Sequence, residues 1–353
     1  MNIRALAFSA VLLVPSILPA QKTWNFVVSG DSRNCGDIVM PAIAEGVKND
    51  NGQFYWHLGD LRAIFAVDED IAKRATGVPP ASLAEYQKMA WKDAIDNQLR
   101  PFLGTQVYLG IGNHETIPPK TRAEFVETFL RWLASPALQK NRQADTPGDS
   151  SVTTWYHWRQ QGIEFINLDN ASETEFEPAQ IQWFEKVLAD VKSSPDVKAV
   201  VVGMHAALPN SLAAGHSMNN WKTGDVTGVR IYNDLLELQK QSKKNVYILA
   251  SHSHFYMKGI FDTDYWKSNG GVLSGWIVGT AGAHRYKLPE DAHKAAEAKT
   301  NVYGYLLATA HDDGTVDFKF KELKESSIPK DVVDRFGKPL VHECFVGNSD
   351  QPH

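Results

Sequence analysis

An excess of positive charge is missing from this sequence. Its 36 lysines and arginines are outnumbered by 41 aspartates and glutamates, which gives a formal net charge of −5. Proteins that bind nucleic acid draw much of their affinity from basic surfaces that displace counterions from phosphate groups. We therefore expect no nucleic acid among the main partners.

Cysteine is also scarce. The chain contains only Cys35 and Cys344, so at most one intramolecular disulfide can form. Such a bond is expected if the protein reaches an oxidising compartment. Two separate buried thiols are the alternative, and the sequence does not decide between them.

Long apolar runs are confined to the N-terminus. There a positively charged start with Arg4 precedes a short apolar run, which Pro15 interrupts and which ends in small residues. This pattern predicts a secretory signal peptide over residues 1–20, cut after Ala20, rather than a membrane anchor. The mature protein is thus expected to be periplasmic or secreted, with no membrane span.

The remaining chain is typical of one large globular domain. The 353 residues are 43% hydrophobic and 22% charged, which suffices for a sizeable core. Short β-rich apolar runs alternate with helical patterns, as in stacked β-α units. We predict one large domain over residues 21–325 and a tail over 326–353 that packs on it. Strands are predicted at residues 24–30, 53–59, 106–112, 162–169, 197–204 and 245–251.

The sequence also predicts a helix, two insertions and a hairpin. Apolar residues recur with helical spacing over residues 178–192. Insertions are expected at residues 64–100, which are interrupted by prolines, and at the polar residues 135–154. Near the C-terminus, Asp313-Gly314 is expected to form the turn of a β-hairpin.

Polar side chains follow five of the predicted strands. In layered α/β proteins, ligands bind beyond the carboxyl ends of the strands, so these side chains are expected to meet at one edge. Carboxylate, amide and imidazole groups together form a shell that suits zinc, manganese or iron. Each residue alone is better explained as a turn, cap or core residue, but the ordered set indicates a metal site. The set comprises Asp31, Asp60, Asn113, His114, His205, His252 and His254.

These residues belong to five motifs in a fixed order. They are GD at 30–31, GD at 59–60, GNHE at 112–115, MH at 204–205 and SHSH at 251–254. In this order the motifs resemble the calcineurin-like metallophosphoesterase superfamily. The later GWIVGTAGAH and the hairpin that follows resemble its purple acid phosphatase branch. The resemblance implies an α/β fold in four layers, α/β/β/α, with two mixed β-sheets flanked by helices.

The resemblance also implies a role for each matched residue. Two divalent or mixed-valence transition metal ions, of iron, manganese or zinc, would be bridged by Asp60. Asp31 and His254 would complete the first ion's site, and Asn113, His205 and His252 the second. His114 would act as general acid or charge stabiliser, helped by Glu115 or another carboxylate. The implied protein is an exported phosphoesterase of a small phosphomonoester or phosphodiester, in which the ions activate a bound water.

Two positions depart from the family pattern. Arg33 stands where many members have a histidine ligand, and Ala63 where purple acid phosphatases have a tyrosine, so the first ion is expected to lack one protein ligand. An arginine cannot ligate a cation, but its planar guanidinium group can donate two hydrogen bonds to a phosphate. We therefore predict that Arg33 is a catalytic residue that clamps the substrate phosphate. The alternatives are pairing with Asp31 and a surface ion pair with Asp37 or another acid.

Two other functions remain open at this stage. The protein could be a binding protein that keeps the fold but has weak or no turnover, because the first metal site has lost a ligand. A mononuclear phosphatase could use one ion together with Arg33.

Overall fold

The computed structural model describes residues 23–213 and 215–350, so the predicted signal peptide lies outside the described residues. These residues form twelve strands and eleven α-helices. The strands are β1 (Thr23–Ser29), β2 (Gly52–His57), β3 (Gln106–Leu109), β4 (Tyr156–Gln160), β5 (Ile163–Asn167), β6 (Ala199–Gly203), β7 (Asn245–Ala250), β8 (Tyr256–Lys258), β9 (Ser274–Val278), β10 (Glu297–Lys299), β11 (Tyr303–His311) and β12 (Val316–Leu323). The helices are α1 (Gly36–Asn49), α2 (Glu69–Ala72), α3 (Leu83–Ala94), α4 (Arg122–Thr128), α5 (Leu130–Leu133), α6 (Pro136–Asp145), α7 (Pro178–Ser193), α8 (Lys222–Ser242), α9 (Asp264–Ser268), α10 (Lys330–Phe336) and α11 (Lys338–Val346).

The strands form two mixed β-sheets. The first has the order β12-β11-β1-β2-β3, and the second has the order β10-β8-β9-β7-β6-β5-β4. Strands β1, β2 and β3 run parallel, as do β5, β6, β7 and β9. The remaining strands are antiparallel to their neighbours. This arrangement confirms the predicted class of two mixed sheets flanked by helices.

Aromatic side chains fill the space between the two sheets. Phe26 and Phe54 of the first sheet lie 5.1 and 5.2 Å, centroid to centroid, from Phe165 of the second, and both meet it edge to face. Trp158 stacks on the other side of this cluster, 5.0 Å from Phe165. Edge-to-face aromatic pairs stabilise a core beyond the area they bury.

Successive side chains along a strand face opposite sides of the sheet, so each sheet contributes to an inner core between the sheets and to an outer core under the helices. On β6, Val201 faces the aromatic layer between the sheets, whereas Val200 and Val202 pack against the helices outside. That outer layer is α7 and α8, which contribute Phe184 and Leu235 among others. The helix predicted at residues 178–192 is therefore confirmed as α7.

The C-terminal part of the chain closes the fold. Strands β11 and β12 pair as the predicted hairpin, and helices α10 and α11 follow. Cys344 of α11 forms a disulfide with Cys35, which immediately precedes α1, so the predicted bond is present in the structure. Within the described ranges, no helix is long and apolar enough to cross a membrane.

Candidate metal centre

The carboxyl ends of strands from both sheets meet at one edge, and the predicted ligands lie there in two groups. The first group consists of Asp31, which follows β1, Asp60, which follows β2, and His254, which follows β7. All three side chains are buried. Nε2 of His254 lies 3.1 Å from Oδ1 of Asp31. Nδ1 of His254 donates to the carbonyl oxygen of His284 at 2.6 Å, which leaves Nε2 free to act as a ligand.

The second group shares Asp60 with the first and adds His205 and His252. Nε2 of His205 lies 3.4 Å from Oδ1 of Asp60, 3.1 Å from Nδ1 of His252 and 3.0 Å from Oδ1 of Asn113. Nδ1 of His205 lies 3.0 Å from the carbonyl oxygen of Leu58, which orients the ring so that Nε2 faces the group. The grouping matches the predicted division of ligands between two ions, with Asp60 in both.

Unusual backbone conformations orient these side chains toward the site. Asp31, Asp60 and His252 all have positive φ, at 60°, 63° and 64°. Non-glycine residues adopt this region rarely, and they concentrate at functional sites when they do. Gly112 allows the close approach, because a Cβ there would lie 2.2 Å from Oδ1 of Asp60.

The electrostatics and the buried oxygens suit bound cations. Burial pushes the pKa of Asp31 up, but His254 and His205 outweigh it and lower the pKa to about 2. The pKa of Asp60 is lowered well below its usual value in spite of burial, chiefly by His114 and His205. Among the described residues, Oδ1 of Asp31 and Oδ2 of Asp60 have no hydrogen-bond partner. Buried ionised oxygens without partners are costly, so the donor set fits metal ions.

His114 is held beside the shared carboxylate. Its Nδ1 donates to the carbonyl oxygen of Ala63 at 2.5 Å, and its Nε2 lies 3.6 Å from Oδ2 of Asp60. Of the carboxylates predicted to help His114, the one beside it is Asp60 and not Glu115. The carboxylate of Glu115 instead accepts the backbone N–H groups of Asp60, Leu61 and Gly112, so it shapes the turns that carry the site.

Arg33 points into the site. It is buried, its Nη2 lies 3.2 Å from Nε2 of His254, and its Nε lies 3.8 Å from Oδ2 of Asp60. Burial tends to lower the pKa of Arg33, but Asp60 together with Tyr286, Asp31 and Asp68 raises it by more, so the side chain is cationic. The alternative of a surface pair with Asp37 is wrong, because Asp37 is buried against Arg62.

Three side chains at this edge were missed from the sequence. The hydroxyl of Tyr286 accepts from Nη2 of Arg33 at 3.1 Å, and its ring stacks 4.0 Å from that of His254. His216 contacts the rings of Tyr286 and His252 at 5.0 and 5.1 Å. Oε2 of Glu173 lies 3.5 Å from Nε2 of His252. All three are on loops, where no periodicity marks them, although Tyr286 closely follows the GWIVGTAGAH segment.

The structure is similar to three solved structures, two of which are named as phosphatases. The purple acid phosphatase PPD1 from seeds of yellow lupin, Lupinus luteus, has a TM-score of 0.58 and 16% identity over 85% of this chain. A structure of PhoD has a TM-score of 0.55 and 13% identity over 92% of this chain and 77% of its own. A dimetal phosphatase from Danio rerio has a TM-score of 0.52 and 14% identity over 85% of this chain and 98% of its own. This chain corresponds to 52% of the lupin enzyme's chain.

The likeness at such low identity defines the fold. No protein-family model and no curated protein matches the sequence. The protein has the calcineurin-like metallophosphoesterase fold, as its motifs predicted, and two of the reported neighbours with this fold are named as phosphatases.

Proposed function

We propose that this protein is a metal-dependent phosphoesterase that hydrolyses a small phosphomonoester or phosphodiester. The observation that carries the proposal is the pair of ligand groups that share Asp60 at the edge where both sheets end. The buried oxygens of Asp31 and Asp60 that lack hydrogen-bond partners among the described residues support it. The similarity to metal-dependent phosphatases is a second, independent support.

The residues fit two ions. Asp31 and His254 would hold one, Asn113, His205 and His252 the other, and Asp60 both. When bound, the ions would lower the pKa of a water molecule and neutralise charge on the phosphoryl oxygens. Glu173 lies where it can orient His252, since a carboxylate on the far imidazole nitrogen fixes the tautomer of a ligand.

Arg33 and Tyr286 would bind the substrate phosphate. The guanidinium presents N–H donors beside the shared carboxylate, and Nε has no hydrogen-bond partner among the described residues. Bidentate, charge-assisted hydrogen bonds from arginine to phosphate are strong. The Tyr286 hydroxyl accepts a hydrogen bond from Nη2 of Arg33 and so orients the guanidinium group.

His114 would transfer a proton at Nε2. Burial and Arg33 lower the pKa of His114 while Asp60 raises it, and the net shift is downward. A phosphate anion beside Nε2 favours the imidazolium, which can then give its proton to the leaving oxygen. The Ala63 carbonyl keeps the other ring proton in place during this step.

A second candidate is a mononuclear phosphatase. It is favoured by one observation, the hydrogen bond from Nη2 of Arg33 to Nε2 of His254, because the cation occupies a nitrogen that the first ion would need. In a mononuclear enzyme, the positive charge of Arg33 would take the place of the first ion, and the second ligand group would hold the single metal ion. A binding protein without turnover remains the alternative from another class.

We also propose that the protein is exported to the periplasm or secreted. The N-terminal pattern of residues 1–20 motivates this, and the disulfide between Cys35 and Cys344 supports an oxidising compartment. The tail that carries Cys344 would then be fastened to the loop after Asp31.

The proposal can be tested with Asp60→Asn and a matched control. Asp169→Asn alters another buried strand-end aspartate, whose carboxylate is explained by bonds to Arg122, Thr154 and the backbone of Ala171. Hydrolysis of an aryl phosphate would be measured after metal removal and after return of Mn²⁺, Fe²⁺ or Zn²⁺. We expect metal-dependent turnover in the wild type and in Asp169→Asn, and none in Asp60→Asn, whose metal content falls while its circular dichroism is unchanged. Unchanged turnover in Asp60→Asn would remove the bridging role.

A further inference from the structure

The segment after Asp60 contains an unusual backbone conformation that the metal site does not explain. Ile64 has a φ of 63°. A β-branched side chain in this left-handed region is a genuine outlier, and such strain persists only where the surroundings hold it. Here the surroundings do so, because Asp68 accepts the N–H of Ala63 at 3.2 Å and Gln87 donates to the carbonyl oxygen of Ile64 at 3.0 Å.

The strained turn separates two apolar side chains. Ile64 is completely buried, whereas the next residue, Phe65, is 56% exposed. The ring of Phe65 lies 5.3 Å from the ring of His114, centroid to centroid, with an interplanar angle of 48°. Ala63, which precedes Ile64, provides the carbonyl that orients His114. One short segment therefore fixes the imidazole and also places a phenyl ring against it.

Exposure alone says little, because single exposed hydrophobic residues are common on protein surfaces. The position of Phe65 is informative. Nε2 of His114 faces the shared carboxylate of Asp60, so a phosphoryl group bound there has its leaving oxygen near His114. In an in-line displacement the group attached to that oxygen extends away from the ions. The ring of Phe65 contacts the ring of His114 and is therefore placed to meet a group that extends past His114.

We propose that Phe65 is a substrate-binding residue on which the leaving group stacks, and that the preferred substrates are phosphoesters of an aromatic alcohol. The inference rests on the proposed phosphoesterase function and adds the chemical class of the leaving group. A planar ring attached directly to the ester oxygen would lie beside His114, where it could pack on the Phe65 ring. Offset or tilted stacking of this kind is favourable beyond the area buried.

The test compares phenyl phosphate with ethyl phosphate in the metal-loaded wild type, Phe65→Ala and Phe65→Trp, with released phosphate as the readout. We expect Phe65→Ala to lower kcat/KM for phenyl phosphate roughly threefold to tenfold, mainly through KM, and to reduce the preference for phenyl over ethyl phosphate. Phe65→Trp should keep the preference. Leu103→Ala is the control, since Leu103 is 62% exposed and precedes β3 at the opposite edge of the sheet.

A binding measurement completes the test. Calorimetry with phenylphosphonate and methylphosphonate, which cannot be hydrolysed as esters, should show that Phe65→Ala loses affinity for the phenyl compound more than for the methyl compound. An equal effect of Phe65→Ala on both ligands and both esters, or no effect, would overturn the role of Phe65 and leave the phosphoesterase standing. If the wild type hydrolyses neither ester, the phosphomonoesterase form of the proposed function would instead be overturned.

Discussion

Arg33 and His254 form a hydrogen-bonded pair at the first ligand group, with Nη2 of Arg33 3.2 Å from Nε2 of His254. Because Nδ1 of His254 donates to the His284 carbonyl, Nε2 carries the lone pair that a metal would use. In the proposed dinuclear site, the guanidinium and the first ion would therefore compete for one nitrogen, and a bound phosphate could draw Arg33 away. This competition would follow from arginine standing where the family that the motifs resemble has a histidine ligand.

Arg33→Ala should separate substrate binding from metal binding. We expect kcat/KM to fall by well over tenfold, because the phosphate loses a bidentate partner, while the number of ions per chain holds. Arg33→Lys is the matched variant, because it keeps the positive charge but lacks the planar guanidinium group. Its kcat/KM should lie between the values of Arg33→Ala and the wild type. Arg33→His should bind the first ion more tightly without restoring the loss. Wild-type kcat/KM in Arg33→Ala would leave Arg33 as a structural charge.

Replacement of His114 tests proton transfer. His114→Asn should lower kcat by roughly 10²- to 10⁴-fold with metal retained, because Nε2 no longer supplies a proton to the leaving oxygen. The loss should shrink for nitrophenyl esters, whose leaving groups need less protonation. Metal loss in this variant, measured by elemental analysis, would mean that His114 is a ligand.

The fold and part of the site followed from the sequence, and the reasons lie in particular residues. Asp31, Asp60 and His205 were found because each follows a buried apolar strand, and the carboxyl ends of these strands meet at one edge. The pattern of strands did not reveal that two sheets share this edge; the resemblance implied it. Strand β4 was missed because it lies beside a polar insertion. Tyr286 was missed because it comes from a loop that folding brings to the site.

The disulfide is expected to stabilise the protein strongly. It joins Cys35 and Cys344 across 309 residues, and in the chain-entropy model a loop of this length contributes on the order of 6 kcal/mol. The double variant Cys35→Ala/Cys344→Ala should therefore unfold at markedly lower denaturant concentration than the wild type. Added reductant should destabilise the wild type and leave the double variant unchanged. Equal midpoints for the two proteins would show that the bond contributes little.

His157 should make stability depend on pH. Burial lowers its pKa, but Asp145 and Glu164, 3.0 and 2.6 Å away, outweigh this and raise the pKa to about 9. A raised pKa in the folded state gives stability that is complete below pH 6.5 and is lost as the pH rises through 9. His157→Gln should thus melt well below the wild type at pH 6, and the gap should narrow by pH 9.5.

The control for this prediction is His342→Gln. The side chain of His342 is 63% exposed and pairs with Glu325 at the surface, where ion pairs contribute little. Its melting temperature should follow that of the wild type at both pH values. A gap for His157→Gln that is constant from pH 6 to 9.5 would contradict the assigned protonation.

The central claim is that two metal ions bound at the shared carboxylate of Asp60 are needed for phosphoester hydrolysis. The most direct measurement is a titration of the metal-stripped protein with Mn²⁺, Fe²⁺ or Zn²⁺, in which bound ions per chain and aryl phosphate hydrolysis are followed together. We predict no turnover without metal and a rise that saturates at two ions per chain. Saturation at one ion would favour the mononuclear variant with Arg33, and full turnover in the stripped protein, or none at any loading, would contradict the account.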